Sequence, residues 1–285
     1  MVEIGKFNKL KVLRQADFGY FLDAETGETD DDILLPNRST LGQTVSINDE
    51  VDVFIYKDSK DRLTATFQKP LAEVYHLAYL EVVSITDIGA FVNFGLERDL
   101  FVPIKEQNYR LVEGNSYLFY IYVDKTNRLA ASTFIDDYLD NTEDYLVGDD
   151  VEGIVYGFQT NGSVMVAIEN KYRGVILKNE YFDRIIPGQT IKLRVKKHYE
   201  DGKMSLTPRK VAMDERLSLE DVILKYLKEH DGTMPYNDKS SPEDIKAEFH
   251  QSKNYFKNAL GGLMRSRLIT QDENGTKLKK DDATE

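Results

Sequence analysis

Hydrophobic and polar positions alternate along most of the first 210 residues, and turn residues interrupt the alternation at regular intervals. A period of two predicts strands, because successive side chains on a strand point to opposite faces. From Val83 to Ile104, a strand through Val83 and Ile85 leads to a tight turn at Asp87-Ile88-Gly89. A second strand runs through Phe91-Val92-Asn93-Phe94, and the chain returns at Phe101-Val102. Gly89 closes this hairpin and can take a positive φ without steric cost. A later strand from Tyr117 to Val123 is followed by Asp124 and Arg128, then by a closing strand at Leu129-Ala130-Ala131-Ser132.

The same unit recurs on both sides with a period of about 70 residues. In the first copy the turn is Asp17-Phe18-Gly19-Tyr20-Phe21-Leu22, and the return strand is Leu34-Leu35-Pro36. Val51 to Tyr56 form the next strand, Asp58 and Arg62 follow, and Leu63-Thr64-Ala65-Thr66 closes the copy. In the third copy Thr160-Asn161-Gly162-Ser163-Val164-Met165 fills the turn, with no aromatic residue. Its return strand is Gly174-Val175-Ile176-Leu177, and Tyr199 and Lys203 stand where the other copies have Asp and Arg. The expected divisions are 1–69, 70–136, an acidic linker at 137–146, 147–210 and a last domain at 211–282. The acidic stretch from Asp136 to Asp144 reads as a linker or short helix that lets the third unit sit apart from the first two.

After Pro208 the period changes to about 3.6. Ser218 is placed to cap a helix carrying Val222, Ile223, Tyr226 and Leu227, and Gly232 to Tyr236 read as a turn and short strand. Ser241-Pro242-Glu243-Asp244 starts a second, short helix that ends near Phe249. Ser252 caps a third helix, with Phe256, Ala259, Leu260, Leu263 and Met264 on its buried side. Ile269-Thr270 and Thr276-Lys277-Leu278 form a hairpin about Asn274-Gly275. Helix, strand, helix, helix, hairpin is the order of a winged helix-turn-helix domain. Asn254, Lys257, Asn258, Gly261 and Arg265 lie on the face opposite the apolar one. In a DNA reader that face enters the major groove, while in a structural or protein-binding winged helix it does not. Gly261-Gly262 inside the helix suggest that another group approaches it closely.

Charge bears on the choice of ligand. The chain has 37 basic and 49 acidic residues, a net charge of −12, which taken alone argues against phosphate binding. Only residues 147–210 are net basic, at +3. There Lys192, Arg194 and Lys196 alternate with Ile191, Leu193 and Val195, so the three basic side chains share one strand face, extended by Lys197. A phosphate-tracking stripe and an ordinary solvated strand face both fit that pattern. The acidic run Asp30-Asp31-Asp32 lacks the spacing of a calcium loop and reads as a solvated loop.

With no cysteine, disulfides and cysteine-ligated zinc are excluded. No apolar run is long enough to span a membrane, and no secretory leader is evident, so a cytoplasmic location is expected. The four histidines, His76, His198, His230 and His250, form no metal-binding or catalytic spacing. No glycine-rich phosphate loop is present. The expectation is a non-enzymatic chain with no catalytic residues, metal or cofactor.

The turn Asp87-Ile88-Gly89-Ala90-Phe91-Val92, with the late Asp124 and Arg128, resembles the S1 RNA-binding domain, a five-stranded barrel of the OB class. Ile88 departs from the aromatic usual there, and Pro36 and Pro103 replace a common histidine. The resemblance implies that Phe18, Phe21 and Phe91 stack on bases. It also implies that Arg62, Arg128 and Lys203 contact phosphate or base edges, with Asp58 and Asp124 orienting the two arginines. The expected fold is therefore multidomain and mainly β: three tandem S1/OB barrels followed by an α+β winged helix. That layout resembles the bacterial conserved virulence factor B family over essentially the whole chain. The resemblance implies a cytoplasmic regulator that binds single-stranded RNA and influences virulence gene expression. A DNA-binding regulator working through the winged helix and a protein-interaction scaffold stand as alternatives, with a ribonuclease last.

Overall fold

Leu10 and Val12 are buried while Lys9 and Lys11 stay exposed, so the first strand puts one face into a core and the other into water. In the computed structural model, which describes residues 2–208 and 212–279, that strand opens the first of three closed five-stranded barrels. The first barrel contains β1 (Phe7–Ala16), β2 (Gly19–Leu22), β3 (Ile33–Pro36), β4 (Glu50–Lys57) and β5 (Leu63–Thr66). The second contains β6 (Leu77–Thr86), β7 (Gly89–Val92), β8 (Leu100–Pro103), β9 (Ser116–Val123) and β10 (Leu129–Ser132). The third contains β11 (Asp150–Phe158), β12 (Val164–Ile168), β13 (Tyr172–Ile176), β14 (Thr190–His198) and β15 (Met204–Thr207). The domain edges expected at 210 and 282 lie outside the described residues.

All three barrels share one strand order, in which the third and fifth strands pair in parallel and every other neighbour is antiparallel. Each first strand carries an irregularity at the same place, between Val12 and Arg14, Val82 and Ser84, and Val155 and Gly157. Bulges of this kind bend the strand so that it can close a small barrel. Aliphatic side chains such as Val12, Leu22, Ile33 and Leu35 fill the first barrel, and the second adds buried rings such as Tyr117 and Phe119. A fully buried side chain of this size contributes about 1.5–3 kcal/mol.

Consecutive barrels pack directly on one another. Phe54, on β4, is fully buried in the core cluster of the second barrel beside Phe94, with ring centroids 6.2 Å apart. Between the second and third barrels, Leu118, Ile135, Leu139, Tyr156 and Ala167 form a separate buried cluster. The acidic linker was expected to hold the third barrel apart, but it docks that barrel instead. Leu139, an apolar side chain within the charged run, and Ile135, just before it, both enter the seam. Asp140 exchanges backbone hydrogen bonds with Lys171 and Arg173, and the Tyr138 ring stacks on Tyr120 with centroids 3.4 Å apart. The Tyr156 hydroxyl donates to Asp136 at 2.6 Å, and burial, followed by that hydrogen bond, pushes its pKa well up.

The last domain comprises α1 (Ala212–Glu229), β16 (Thr233–Met234), α2 (Pro242–Phe249), α3 (Lys253–Arg265), β17 (Ile269–Asp272) and β18 (Gly275–Leu278). Helix α1 starts before Ser218, so that residue lies inside the helix rather than capping it. Ser241 and Ser252 do cap, accepting from the backbone N–H of Asp244 at 3.1 Å and of Tyr255 at 3.4 Å. Phe256, Ala259, Leu260 and Leu263 face the core as expected, whereas Met264 is exposed. Gly262 meets α1: a Cβ there would lie 1.8 Å from a Glu220 carboxylate oxygen, while Gly261 faces open space. The hairpin turn is Glu273-Asn274, one residue earlier than expected, because Asp272 pairs with Gly275. Among the described residues no helix is long and apolar enough to cross a membrane.

Candidate nucleic-acid interface

Strand register aligns the three barrels residue by residue. Phe21 lies between Arg14 on β1 and Leu34 on β3, and Phe91 lies between Ser84 on β6 and Phe101 on β8. The matching residue in the third barrel is Met165, between Gly157 and Val175. Gly89 does not use the positive φ open to glycine. Its requirement is for space, since a Cβ would lie 2.3 Å from the Val102 carbonyl oxygen and 2.7 Å from the Phe101 ring. Gly19 faces the Leu35 carbonyl oxygen at the same 2.3 Å.

On the first barrel Phe18 is 60% exposed at the turn and meets Phe21 edge-on, with centroids 6.0 Å apart. The Arg14 guanidinium lies 3.4 Å from the centre of the Phe21 ring, a cation–π contact. Asp32 turns its carboxylate towards Arg14 at 3.4 Å, while Asp30 and Asp31 stay exposed, so one member of the acidic run has a local role. Arg62 donates from Nε and Nη2 to Asp58 Oδ2 at 3.0 and 2.7 Å, as expected. Burial of Asp58 opposes ionisation, but the Arg62 side chain and nearby backbone N–H groups outweigh it and hold the carboxyl below the usual range.

The second barrel differs at the arginine. Its β9–β10 turn repeats that of the first barrel, with the Asp124 N–H donating to the Arg128 carbonyl at 2.8 Å, against 3.0 Å from Asp58 to Arg62. Asp124 accepts the backbone N–H of Arg128 at 3.0 Å, but the Arg128 guanidinium donates to Asp61 of the first barrel at 2.7 Å. Asp124 therefore shapes the turn, and Asp61 holds the side chain. That hydrogen bond depresses the pKa of Asp61. Lys57 donates across the same seam to the Thr126 carbonyl at 2.9 Å. Half-buried Phe91 packs on Phe101 with centroids 5.2 Å apart.

The third barrel's Met165 packs against the seam with the second barrel, so the stacking position is used for domain contact. Lys192, Arg194 and Lys196 do project from one strand face, between buried Leu193 and Val195. Each meets an acid. Lys192 faces Glu152 in the ladder, Arg194 donates to Asp150 at 2.8 and 3.2 Å, and Lys196 donates to buried Glu180. The stripe's charge is thus largely compensated within the barrel. Lys197 follows an irregularity in β14 and lies 4.5 Å over the Tyr199 ring. Lys203 is 3.7 Å from Asp201. Lys197 and Lys203 border one open cleft with Val175, Leu177 and Tyr199.

On the winged helix, Asn254, Lys257, Asn258 and Arg265 are all exposed on α3, and Arg267 joins them just beyond it. Sequence reasoning left out Arg14, Asp61, Arg98 and Phe101. Arg14 was detectable as the residue opposite Phe21 across a hairpin. Asp61 was not, because its partner Arg128 belongs to the next barrel.

The S1 domain family matches residues 4–68 and 77–134, and the CvfB-like winged helix domain family matches residues 221–278. The third barrel lies between these matches and has the strand order of the other two. An uncharacterized protein of Bacillus subtilis, YitL, is 33% identical over 95% of this chain and 92% of its own length. A conserved virulence factor B of Staphylococcus saprophyticus is 26% identical over 94% of this chain and 91% of its own. The crystal structure of a Streptococcus pneumoniae multidomain protein with nucleic acid binding domains covers 97% of this chain and 98% of its own, at 26% identity and a TM-score of 0.52. With S1 barrels, a CvfB-like winged helix and relatives aligned along nearly their whole length, the chain belongs to the conserved virulence factor B family.

Proposed function

We propose that this protein is a cytoplasmic, non-catalytic regulator that binds single-stranded RNA across its first two barrels. The observation that carries the reading is the shared register of Phe21 and Phe91, each aligned across one intervening strand with the closing strand that follows Arg62 or Arg128. Aromatic faces stack on unpaired bases of any identity, and arginine adds phosphate or base-edge contacts. Phe18 widens the platform on the first barrel, and Lys197 and Lys203 supply charge on the third. Lys192, Arg194 and Lys196 assist only where phosphate displaces their acidic neighbours. The chain's family membership supports a regulatory role, here post-transcriptional control of gene expression, virulence genes included. The test is fluorescence anisotropy of a labelled single-stranded RNA at low and physiological salt, beside a DNA of the same sequence. Saturable binding with a negative salt slope and a preference for RNA is expected. No binding at either salt overturns the reading in favour of a protein-interaction scaffold.

A second reading concerns α3. Its exposed Asn254, Lys257, Asn258 and Arg265 have the composition of a duplex-reading face. A shift of duplex DNA by the full chain, lost in Lys257→Glu/Arg265→Glu, would establish it.

A further inference from the structure

We propose that the seam between the first and second barrels holds a binding site for one unpaired nucleotide of the RNA. This rests on the RNA-binding reading above and names a position within it. A cleft of about 280 Å³ opens there, built from both barrels. Its lining includes the apolar side chains Phe94, Leu96, Leu100 and Leu129, together with Phe101. Phe101 also packs on Phe91, so the aromatic row on the second barrel's face continues into the cleft. A base leaving Phe91 would find its next stacking surface inside the seam.

The rim is polar. Lys57 and Arg128 reach it from opposite barrels, and Arg98 stands at it, exposed and with no ion pair among the described residues. Arg38 lies nearby, 3.0 Å from Glu97 across the seam. Tyr56 lines the same cleft, with its hydroxyl pKa raised by burial first and by Glu97 next. A cleft that sets Leu96, Leu129 and Phe101 beside Lys57, Arg98 and Arg128, with Asp58 and Asp99 also in its lining, suits a base against the apolar side chains and its phosphate against the cations. Neither barrel forms this site alone, which a protein reading RNA with separate barrels would not need.

The test uses the full chain and single-stranded RNAs carrying 2-aminopurine at successive positions. Two variants act at exposed points on the cleft: Ser59→Trp obstructs its mouth, and Arg98→Glu reverses its cation. Phe91→Ala, on the barrel face, serves as a control. One 2-aminopurine position should be strongly quenched with the unsubstituted protein. That quench should vanish in both cleft variants, with a loss of about tenfold in affinity, the size of one stacked base. RNA binding that is weakened by Phe91→Ala but unchanged in affinity and quench by both cleft variants overturns the cleft alone. No RNA binding by the unsubstituted chain overturns the RNA reading and the cleft with it.

Discussion

Arg128 of the second barrel donates from Nε to Asp61 of the first at 2.7 Å, although Asp124 stands four residues from it in the sequence. A carboxylate from one barrel thus occupies the guanidinium that the other would offer to phosphate. The two groups are half exposed, so the pair adds little to stability. Its consequence lies in competition with a ligand. Asp61→Asn is expected to raise RNA affinity severalfold and to steepen the salt dependence by about 0.7 for each additional phosphate neutralised. Anisotropy titrations across a salt series would check both.

The same pair makes a pH prediction. The hydrogen bond to Arg128 depresses the pKa of Asp61 below its unfolded value. The contribution of Asp61 to stability is therefore present above that unfolded value, about 3.9, and is lost as pH falls through the lower folded one. Asp58, held down by Arg62 against opposing burial, acts in the same direction. Urea midpoints of the unsubstituted chain and Asp61→Asn should differ slightly near pH 6 and converge in acid.

Phe21→Ala with Phe91→Ala should weaken single-stranded RNA binding by about 1–3 kcal/mol for each base that stacks. Both rings lie half-buried on the barrel surface rather than inside a core, so far-UV circular dichroism should be unchanged. Unaltered affinity in the double variant would remove stacking from the account.

Gly89→Ala should destabilise the second barrel by about 1–3 kcal/mol, because the new methyl has backbone and ring in its way. The expected signs are a lower urea midpoint and disturbed packing of Phe101.

Leu139→Ala should cost about 2–5 kcal/mol, since the side chain is buried in the seam between the second and third barrels. Faster proteolysis within 137–146 would show that this segment is held by packing, whereas an unchanged rate would return it to the role of a spacer.

Much of the architecture was legible in the chain. Alternation defined the strands, and the repeated turns at Gly19 and Gly89 with the late Asp and Arg or their substitutes marked three copies. Ser241-Pro242 and Ser252 marked helix starts, because local hydrogen-bond chemistry determines them. These features depend on near neighbours in sequence, where side-chain type alone constrains the backbone.

Contacts between units could not be read the same way. The acids beside Arg194 and Lys196 are Asp150 and Glu180, 44 and 16 residues away, so a stripe that looks basic in sequence is balanced in space. Met165 and Leu139 are spent on a seam between barrels, and Asp61 reaches across another. The sequence by itself determined what each barrel is and which side chains lie on its surface. Only the tertiary structure decided which of those surfaces meet, because packing and ion pairing depend on distance in space and not on separation along the chain.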